Sequence, residues 1–253
     1  MKKYAVIVAG GAGLRMGTQV PKQFLLLKGK PVLWYTLNVF LDAYADLEII
    51  LVLPEEHMET GKAIIYSTHA PHRIRMVAGG ATRFHSVKNG LRAVARDEAS
   101  GGAIAGAGSS EDPKHGPGVA GAVTEAAAEA SVIFVHDGVR CLLTTDLVHR
   151  CYETAVQHGT AIPVINSKDS VRLVRSGGNE AIDRSQVKLV QTPQTFLSTI
   201  LLPSFEIEYQ DVFTDEATVV EAFDHVIHLV EGEINNIKIT NPADLALAEQ
   251  LLR

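Results

Sequence analysis

Tyr4-Ala5-Val6-Ile7-Val8-Ala9 runs straight into Gly10-Gly11-Ala12-Gly13-Leu14-Arg15-Met16-Gly17, with Pro21-Lys22-Gln23 close behind. A short apolar run bounded by turn residues predicts a buried strand, of the kind found in a parallel sheet. The glycines that follow let the backbone take positive φ and approach a ligand closely. Successive N–H groups in such a turn, or at the start of a following helix, form an anion-binding concavity. Arg15 and Lys22 bring positive charge to the same place. A polyphosphate is the ligand these features suit.

Spacing separates this loop from two common glycine-rich loops. A P-loop needs GxxxxGK followed by Ser or Thr, whereas Gly17 is followed by Thr18. The dinucleotide fingerprint GxGxxG fits Gly11 and Gly13 but meets Met16 where its last glycine belongs. It also expects an acidic residue about 20 positions on, at the end of a second strand. That region is Pro31-Val32-Leu33-Trp34-Tyr35-Thr36, which reads as the start of a helix. The pattern that remains is a nucleoside triphosphate held without a Walker lysine.

Outward from this loop, short apolar runs alternate with amphipathic stretches. Strands are expected at Ala5–Val8, Glu48–Leu53, Ile74–Val77, Val132–His136, Gly159–Val164 and Val226–Val230. Helices are expected at Pro31–Leu41, Glu56–Thr68, Arg83–Ala95, Thr145–Gln157 and Asp215–Ala222. This rhythm predicts an α/β fold with a mostly parallel sheet covered by helices on both faces. Near the end, Asn241-Pro242-Ala243-Asp244 supplies an N-cap, a proline at the first helical position and an acid at N3, so a short closing helix follows.

Two segments break the rhythm. Residues 99–131 are rich in Gly, Ala and Ser and hold too few large apolar side chains to build core, so they read as a surface insertion, with an alanine-rich helix suggested at Val123–Glu129. In residues 167–195, Val171–Leu173 and Val187–Val190 flank Ser176-Gly177-Gly178-Asn179, which predicts a β-hairpin arm outside the main sheet. Exposed apolar strands need a second surface, and a second subunit is the common one.

A chain of 253 residues, 46% hydrophobic and 21% charged, suits one large α/β domain over 1–253 better than two complete ones. Its net charge of -6 gives no general affinity for nucleic acid, so cations must be concentrated where anions bind. The two cysteines, Cys141 and Cys151, make no disulfide scaffold and fit a reducing compartment. The first apolar run is too short to span a membrane, and its glycines and Arg15 interrupt a signal-like core. A cytoplasmic protein with no nucleic-acid or membrane partner is therefore expected.

Chemistry concentrates where strands end. Val132-Ile133-Phe134-Val135 leads into His136-Asp137-Gly138-Val139-Arg140, and ligands of open parallel sheets bind beyond such carboxyl ends. Asp137 is placed to hold Mg²⁺, which takes carboxylate and phosphate oxygens together, and Arg140 to clamp a phosphate. The bland alternative is an Asx-capped turn with a solvated arginine. His136 packs or hydrogen-bonds behind this loop and is assigned no acid–base work. Gly79-Gly80-Ala81-Thr82-Arg83-Phe84-His85-Ser86-Val87 is either a base-reading turn or an ordinary strand–helix junction. Lys238, inside the run Ile237-Lys238-Ile239, is either an edge-strand guard or a group aimed into the site. Asp183-Arg184 is either a surface pair or a contact for a neighbouring subunit. No ligand-spaced cluster suggests zinc, and no nucleophile–base pair is visible locally.

Taken together, GGAGLRMG, Pro21-Lys22-Gln23, GGATRFHSV, VHDGVR, Gln191-Thr192-Pro193-Gln194, Thr214-Asp215-Glu216-Ala217 and Asn236-Ile237-Lys238-Ile239-Thr240 resemble, in order, the 2-C-methyl-D-erythritol 4-phosphate cytidylyltransferase family. The resemblance covers nearly the whole chain apart from residues 99–131. It implies a three-layer, Rossmann-like nucleotidyltransferase fold and a homodimer whose arms reach into each other's sites. The implied reaction joins CTP and methylerythritol 4-phosphate with release of pyrophosphate, with Mg²⁺ as cofactor. It places triphosphate-binding charge on Arg15 and Lys22, and a further catalytic lysine at Lys238. Nucleotide contacts fall on Ala9, Gly10, Gly11, Gly13, Gly80 and Ser86. Substrate contacts fall on Asp137, Arg140 and Thr192, and on Ser170 and Arg184 of the partner's arm. The family often carries an acid where Ala81 stands and a proline where Cys141 stands, and the insertion is longer than the family needs. Rival readings are cytidylyl transfer to another polyol phosphate such as ribitol 5-phosphate, sugar-1-phosphate nucleotidyl transfer, and a non-catalytic nucleotide-binding regulator.

Overall fold

Along the chain run β1 (Lys3–Val8), β2 (Leu26–Leu27), β3 (Lys30–Pro31), α1 (Val32–Ala43), β4 (Leu47–Leu53), α2 (Met58–Tyr66), β5 (Ile74–Ala78) and α3 (Arg83–Gly102). They continue with β6 (Val132–Asp137), α4 (Thr145–His158), β7 (Thr160–Asn166), β8 (Val171–Arg175), β9 (Gly178–Ile182), β10 (Lys188–Val190) and β11 (Gln194–Leu197). The last are α5 (Ser198–Ser204), α6 (Glu216–Glu221), β12 (Leu229–Glu231) and α7 (Pro242–Leu251). The structure, a computed structural model, describes residues 1–11, 20–102 and 130–252. Gly13, Arg15 and the suggested helix at Val123–Glu129 lie outside them.

The opening apolar run forms β1, an interior strand of the sheet, parallel to β4 on one side and β6 on the other. β5 extends the parallel set beyond β4. Alternate residues then face opposite layers, as the strand period requires. Ala5 and Ile7 of β1, Ile49 and Leu51 of β4, and Phe134 of β6 pack with Leu33, Leu37 and Phe40 of α1 and with Leu147 and Cys151 of α4. Tyr4, Val6, Ile50, Val52, Ile133 and Val135 face the other way, onto Phe84, Val87, Leu91 and Val94 of α3 and onto Val219 and Val220 of α6. Three layers result. At Gly90 a Cβ would stand 2.5 Å from Val6 Cγ1, so only glycine lets α3 lie this close to the sheet.

The sheet is mixed beyond β6. β11 pairs antiparallel with both β6 and β7, a strand the polar Gln194-Thr195 pair did not announce. The arm also differs from the expected pairing. β8 pairs with β9, closed by Ser176-Gly177 with Gly177 at φ +97°, so the partner strand comes from the residues just past the turn. Val187–Val190, expected on the arm, instead supplies β10, which pairs antiparallel with the second half of β7. A two-residue connection closes the local hairpin, and an open stretch of β7 takes the later strand. Smaller shifts occur elsewhere. The strand expected at Val226–Val230 forms at Leu229–Glu231, and the helix expected from Glu56 begins at Met58 after a 3₁₀ turn over Glu55–His57. α3 runs on to Gly102, past the expected start of the insertion at residue 99. No helix among the described residues is long and apolar enough to cross a membrane.

Candidate active site

The carboxyl ends of β1, β4, β5 and β6 are tied together by backbone hydrogen bonds. Ala9 N–H donates to Val52 O at 3.0 Å, Gly79 N–H to Leu53 O at 2.8 Å and Gly138 N–H to Val8 O at 2.9 Å. The turns beyond these strands enclose a cavity of about 240 Å³. Ala9, Gly10 and Gly11 line one wall, Gly80 to Arg83 with Ser86 a second, and Lys22, Arg83, Asp137 and Lys238 carry the charge.

The backbone walls are held by neighbouring side chains. Ser86 Oγ accepts from Gly80 N–H at 3.1 Å and donates to Thr82 O at 3.0 Å, which shapes the Gly79–Arg83 turn. Gln23 is 1% exposed, and its Nε2 donates to Ala9 O at 2.8 Å. Its Oε1 is buried with no hydrogen-bond partner among the described residues. Gly10 and Gly11 do not use positive φ, contrary to the reason expected for them. A Cβ would come no closer than 3.8 Å to a neighbour at Gly10 and 3.7 Å at Gly11. Within the chain neither glycine is sterically required; their bare backbone faces the cavity.

Asp137, the one carboxylate on the cavity wall among the described residues, is 7% exposed and surrounded by cations. Lys238 Nζ lies 2.9 Å from Oδ2, Arg140 Nε 3.5 Å from Oδ2, and Arg83 Nε 3.4 Å from Oδ1. Burial alone pushes its pKa up, but Arg83, Lys238 and Arg140 outweigh this and hold it well below the usual carboxylate range. Asp137 therefore stays ionised.

A buried relay holds the turn that carries it. Asp137 N–H donates to Thr192 Oγ1 at 3.1 Å, and Thr192 Oγ1 lies 2.9 Å from His136 Nδ1. His136 Nε2 faces Arg140 O at 3.1 Å, and a carbonyl only accepts, so Nε2 carries the proton and Nδ1 accepts the Thr192 hydroxyl. Burial pushes the His136 pKa down to about 3, so the ring is neutral and structural. Asn236 Nδ2 donates to Thr192 O at 2.9 Å, while Asn236 O accepts from Arg140 Nη1 at 2.8 Å.

Ala9, Gly10, Gly11, Lys22, Gly80, Ser86, Asp137 and Lys238 are thus brought to one cavity from four stretches of chain. Arg140 and Thr192 do not line it and stand behind Asp137. Ser170 and Arg184 are exposed on the arm, and Arg184 Nη1 donates to Lys168 O at 3.1 Å. Asp183 caps the following 3₁₀ turn by accepting from Ser185 N–H. Arg83 and Glu216 were not singled out, though both sit in motifs read above. Arg83 forks onto Glu216, with Nη2 to Oε2 at 3.0 Å. Cys141 and Cys151 are buried, and burial pushes both thiols up to about 12, so neither is a nucleophile.

No group of three or more His, Cys, Asp or Glu able to hold a metal occurs among the described residues. Among the described residues, Asp137 offers the one ionised carboxylate oxygen at the cavity. Mg²⁺ is commonly bound by one or two carboxylates together with substrate phosphates, so this donor fits an ion that arrives with a triphosphate.

The family model of 2-C-methyl-D-erythritol 4-phosphate cytidylyltransferase matches residues 4–101 and 114–253. The enzyme of that name from Bacteroides thetaiotaomicron is 42% identical over 252 residues, covering 100% of both chains. The stretch the family model leaves unmatched, 102–113, falls within the 99–131 segment. The Porphyromonas gingivalis enzyme is 39% identical over 99% of this chain and 98% of its own. Among solved structures, 4-diphosphocytidyl-2C-methyl-D-erythritol synthase from Anaerococcus prevotii superposes with a TM-score of 0.74 at 26% identity, covering 99% of this chain and 96% of that one. The Francisella tularensis 2-C-methyl-D-erythritol 4-phosphate cytidylyltransferase gives 0.71 at 26% identity, with 100% of each chain covered.

Proposed function

The chain belongs to the 2-C-methyl-D-erythritol 4-phosphate cytidylyltransferase family, an enzyme family of the non-mevalonate isoprenoid pathway, and we propose that its transfer chemistry takes place in the cavity between Gly10, Gly80 and Asp137. The observation that carries this assignment is an ionised Asp137, 2.9 Å from Lys238, facing bare glycine backbone and Lys22 across one cavity.

Backbone at Ala9, Gly10 and Gly80, with the Ser86 hydroxyl, holds the cytidine. Lys22, with Arg15 and Gly13 of the loop outside the described residues, binds the triphosphate. The methylerythritol 4-phosphate oxygen attacks the α-phosphorus, the bond from that phosphorus to the bridging oxygen breaks, and pyrophosphate leaves. The attacking phosphate is ionised near neutral pH, so the site needs no strong general base. Its task is in-line positioning and stabilisation of charge on two anions brought together. Lys22 and Lys238 supply that charge. Asp137 would hold Mg²⁺ with the triphosphate, and the ion supplies further charge neutralisation when bound.

Ser170 and Arg184 act in this reading from the arm of a second subunit, with Arg140 and Thr192 supporting the substrate side. What supports it is the arm itself: β8 and β9 pair only with each other among the described strands, and Val174 is 78% exposed. Two experiments test the reading. Pyrophosphate release from CTP should be fastest with methylerythritol 4-phosphate in a panel of polyol phosphates; preference for ribitol 5-phosphate would overturn the substrate placement. Mixed Arg184→Ala and Lys22→Ala subunits should recover roughly a quarter of wild-type sites after random exchange. No recovery with exchange confirmed by native mass spectrometry would remove Arg184 from a shared site.

A further inference from the structure

Glu216 is 1% exposed, and no step of the transfer as derived above uses it. It opens α6, whose start is pinned from two directions. Asp215 accepts from Thr218 N–H at 3.0 Å, and Gln194 of β11 accepts from Ala217 N–H at 2.8 Å while donating to Asp215 Oδ2 at 2.9 Å. From this anchored turn Glu216 takes both terminal nitrogens of Arg83, leaving Nε toward Asp137 Oδ1 at 3.4 Å.

We infer that Glu216 is a positioning residue for cytidylyl transfer: it occupies the Arg83 fork and so keeps Arg83 from closing on Asp137. A guanidinium prefers to bind a carboxylate through two parallel N–H bonds. Arg83, at the cavity wall and within reach of Asp137, has two carboxylates to choose between. With its fork on Glu216 it touches Asp137 at one oxygen only, and the other stays with Lys238. A buried ion pair is weak evidence of a stability role, since apolar residues of similar volume often serve as well. The placement of this one, one contact removed from Asp137, gives it a task in the reaction. The inference rests on the reading that Asp137 faces the reacting phosphates.

Glu216→Gln keeps the side-chain shape and removes the charge that holds the fork. Its kcat should fall at least tenfold while KM for CTP changes less than threefold, because the Gly80 and Ser86 turn is left in place. Arg83→Gln should fall similarly, and the double variant Arg83→Gln/Glu216→Gln should lose no more than Arg83→Gln alone, because Glu216 acts only through Arg83. The double variant buries no unpaired charge, so its comparison with Arg83→Gln decides the matter even where Glu216→Gln does not fold. Wild-type kcat in folded Glu216→Gln or in Arg83→Gln, or losses that multiply in the double variant, would overturn the inference. Asp137→Asn separates the two levels: if it too turns over at the wild-type rate, the placement of Asp137 fails, and if it is impaired while Glu216→Gln is not, only the role of Glu216 fails.

Discussion

Thr192→Val should loosen the Asp137 turn from behind while leaving the shape of the site intact. Thr192 is 5% exposed, and its hydroxyl serves two buried groups at once, Asp137 N–H at 3.1 Å and His136 Nδ1 at 2.9 Å. Valine matches its volume but can neither accept the first bond nor donate the second. Leaving a buried polar group without its partner costs about 1–3 kcal/mol, so two such groups give a loss of roughly 2–4 kcal/mol if the site relaxes partly. In a chain this long each kcal/mol moves the melting midpoint by about 2–4 °C, so the midpoint should drop by roughly 5–15 °C. Turnover should fall about tenfold or more, because small misplacement of a reacting or charge-stabilising group is expensive. Thermal melts and steady-state pyrophosphate release on Thr192→Val and Thr192→Ser supply the measurement. Serine keeps the hydroxyl and should recover most of both losses. A Thr192→Val protein within about 0.5 kcal/mol of wild type would refute the relay, and a raised KM for the polyol phosphate with unchanged melting would make Thr192 a ligand contact instead.

Three further outcomes are expected. His136 is neutral when folded and has a pKa near 3, so the unfolded chain binds more protons below its ordinary value; stability should therefore fall as pH drops from about 6.5 toward 3, by about 1.4 kcal/mol per unit at most, and the acid limb of the melting curve should flatten in His136→Gln. Lys238→Ala should lower kcat by of order 10²-fold, and Asp137→Asn should raise the Mg²⁺ concentration needed for half-maximal turnover; near-wild-type turnover in the first or unchanged Mg²⁺ dependence in the second would leave these groups structural. Asn241→Ala removes the acceptor for Asp244 N–H at the start of α7 and should cost about 1 kcal/mol in thermal melts with kcat unchanged.

Elements whose cause is local were legible. The closing helix starts with the capping box that Asn241 and Asp244 announce, because an N-cap needs only the next few residues. β1 followed from an unbroken apolar run, since a strand covered on both faces has no polar side to show. The glycine loop, VHDGVR and the GGATRFHSV turn were legible as strand ends, where this architecture puts ligands. Less legible was β11: Gln194 and Thr195 are polar yet buried, each satisfied inside, Gln194 by Asp215 and Ala217 of the α6 start. Polarity there marks an internal hydrogen-bond network and reads as loop in the sequence.

The sequence by itself determined the class of fold, that the opening run is a buried strand, and which turns carry glycine and charge. Each depends on periodicity or on neighbours a few residues away. Which charges face one another was decided only by the tertiary structure. Arg83 meets Asp137 across 54 residues and Glu216 across 133, brought there by the end of β6 and by the connection between α5 and α6. No local pattern encodes such a meeting. Whether a buried carboxylate is a ligand site, a brace or a counter-charge depends on the cations that the rest of the fold sets beside it.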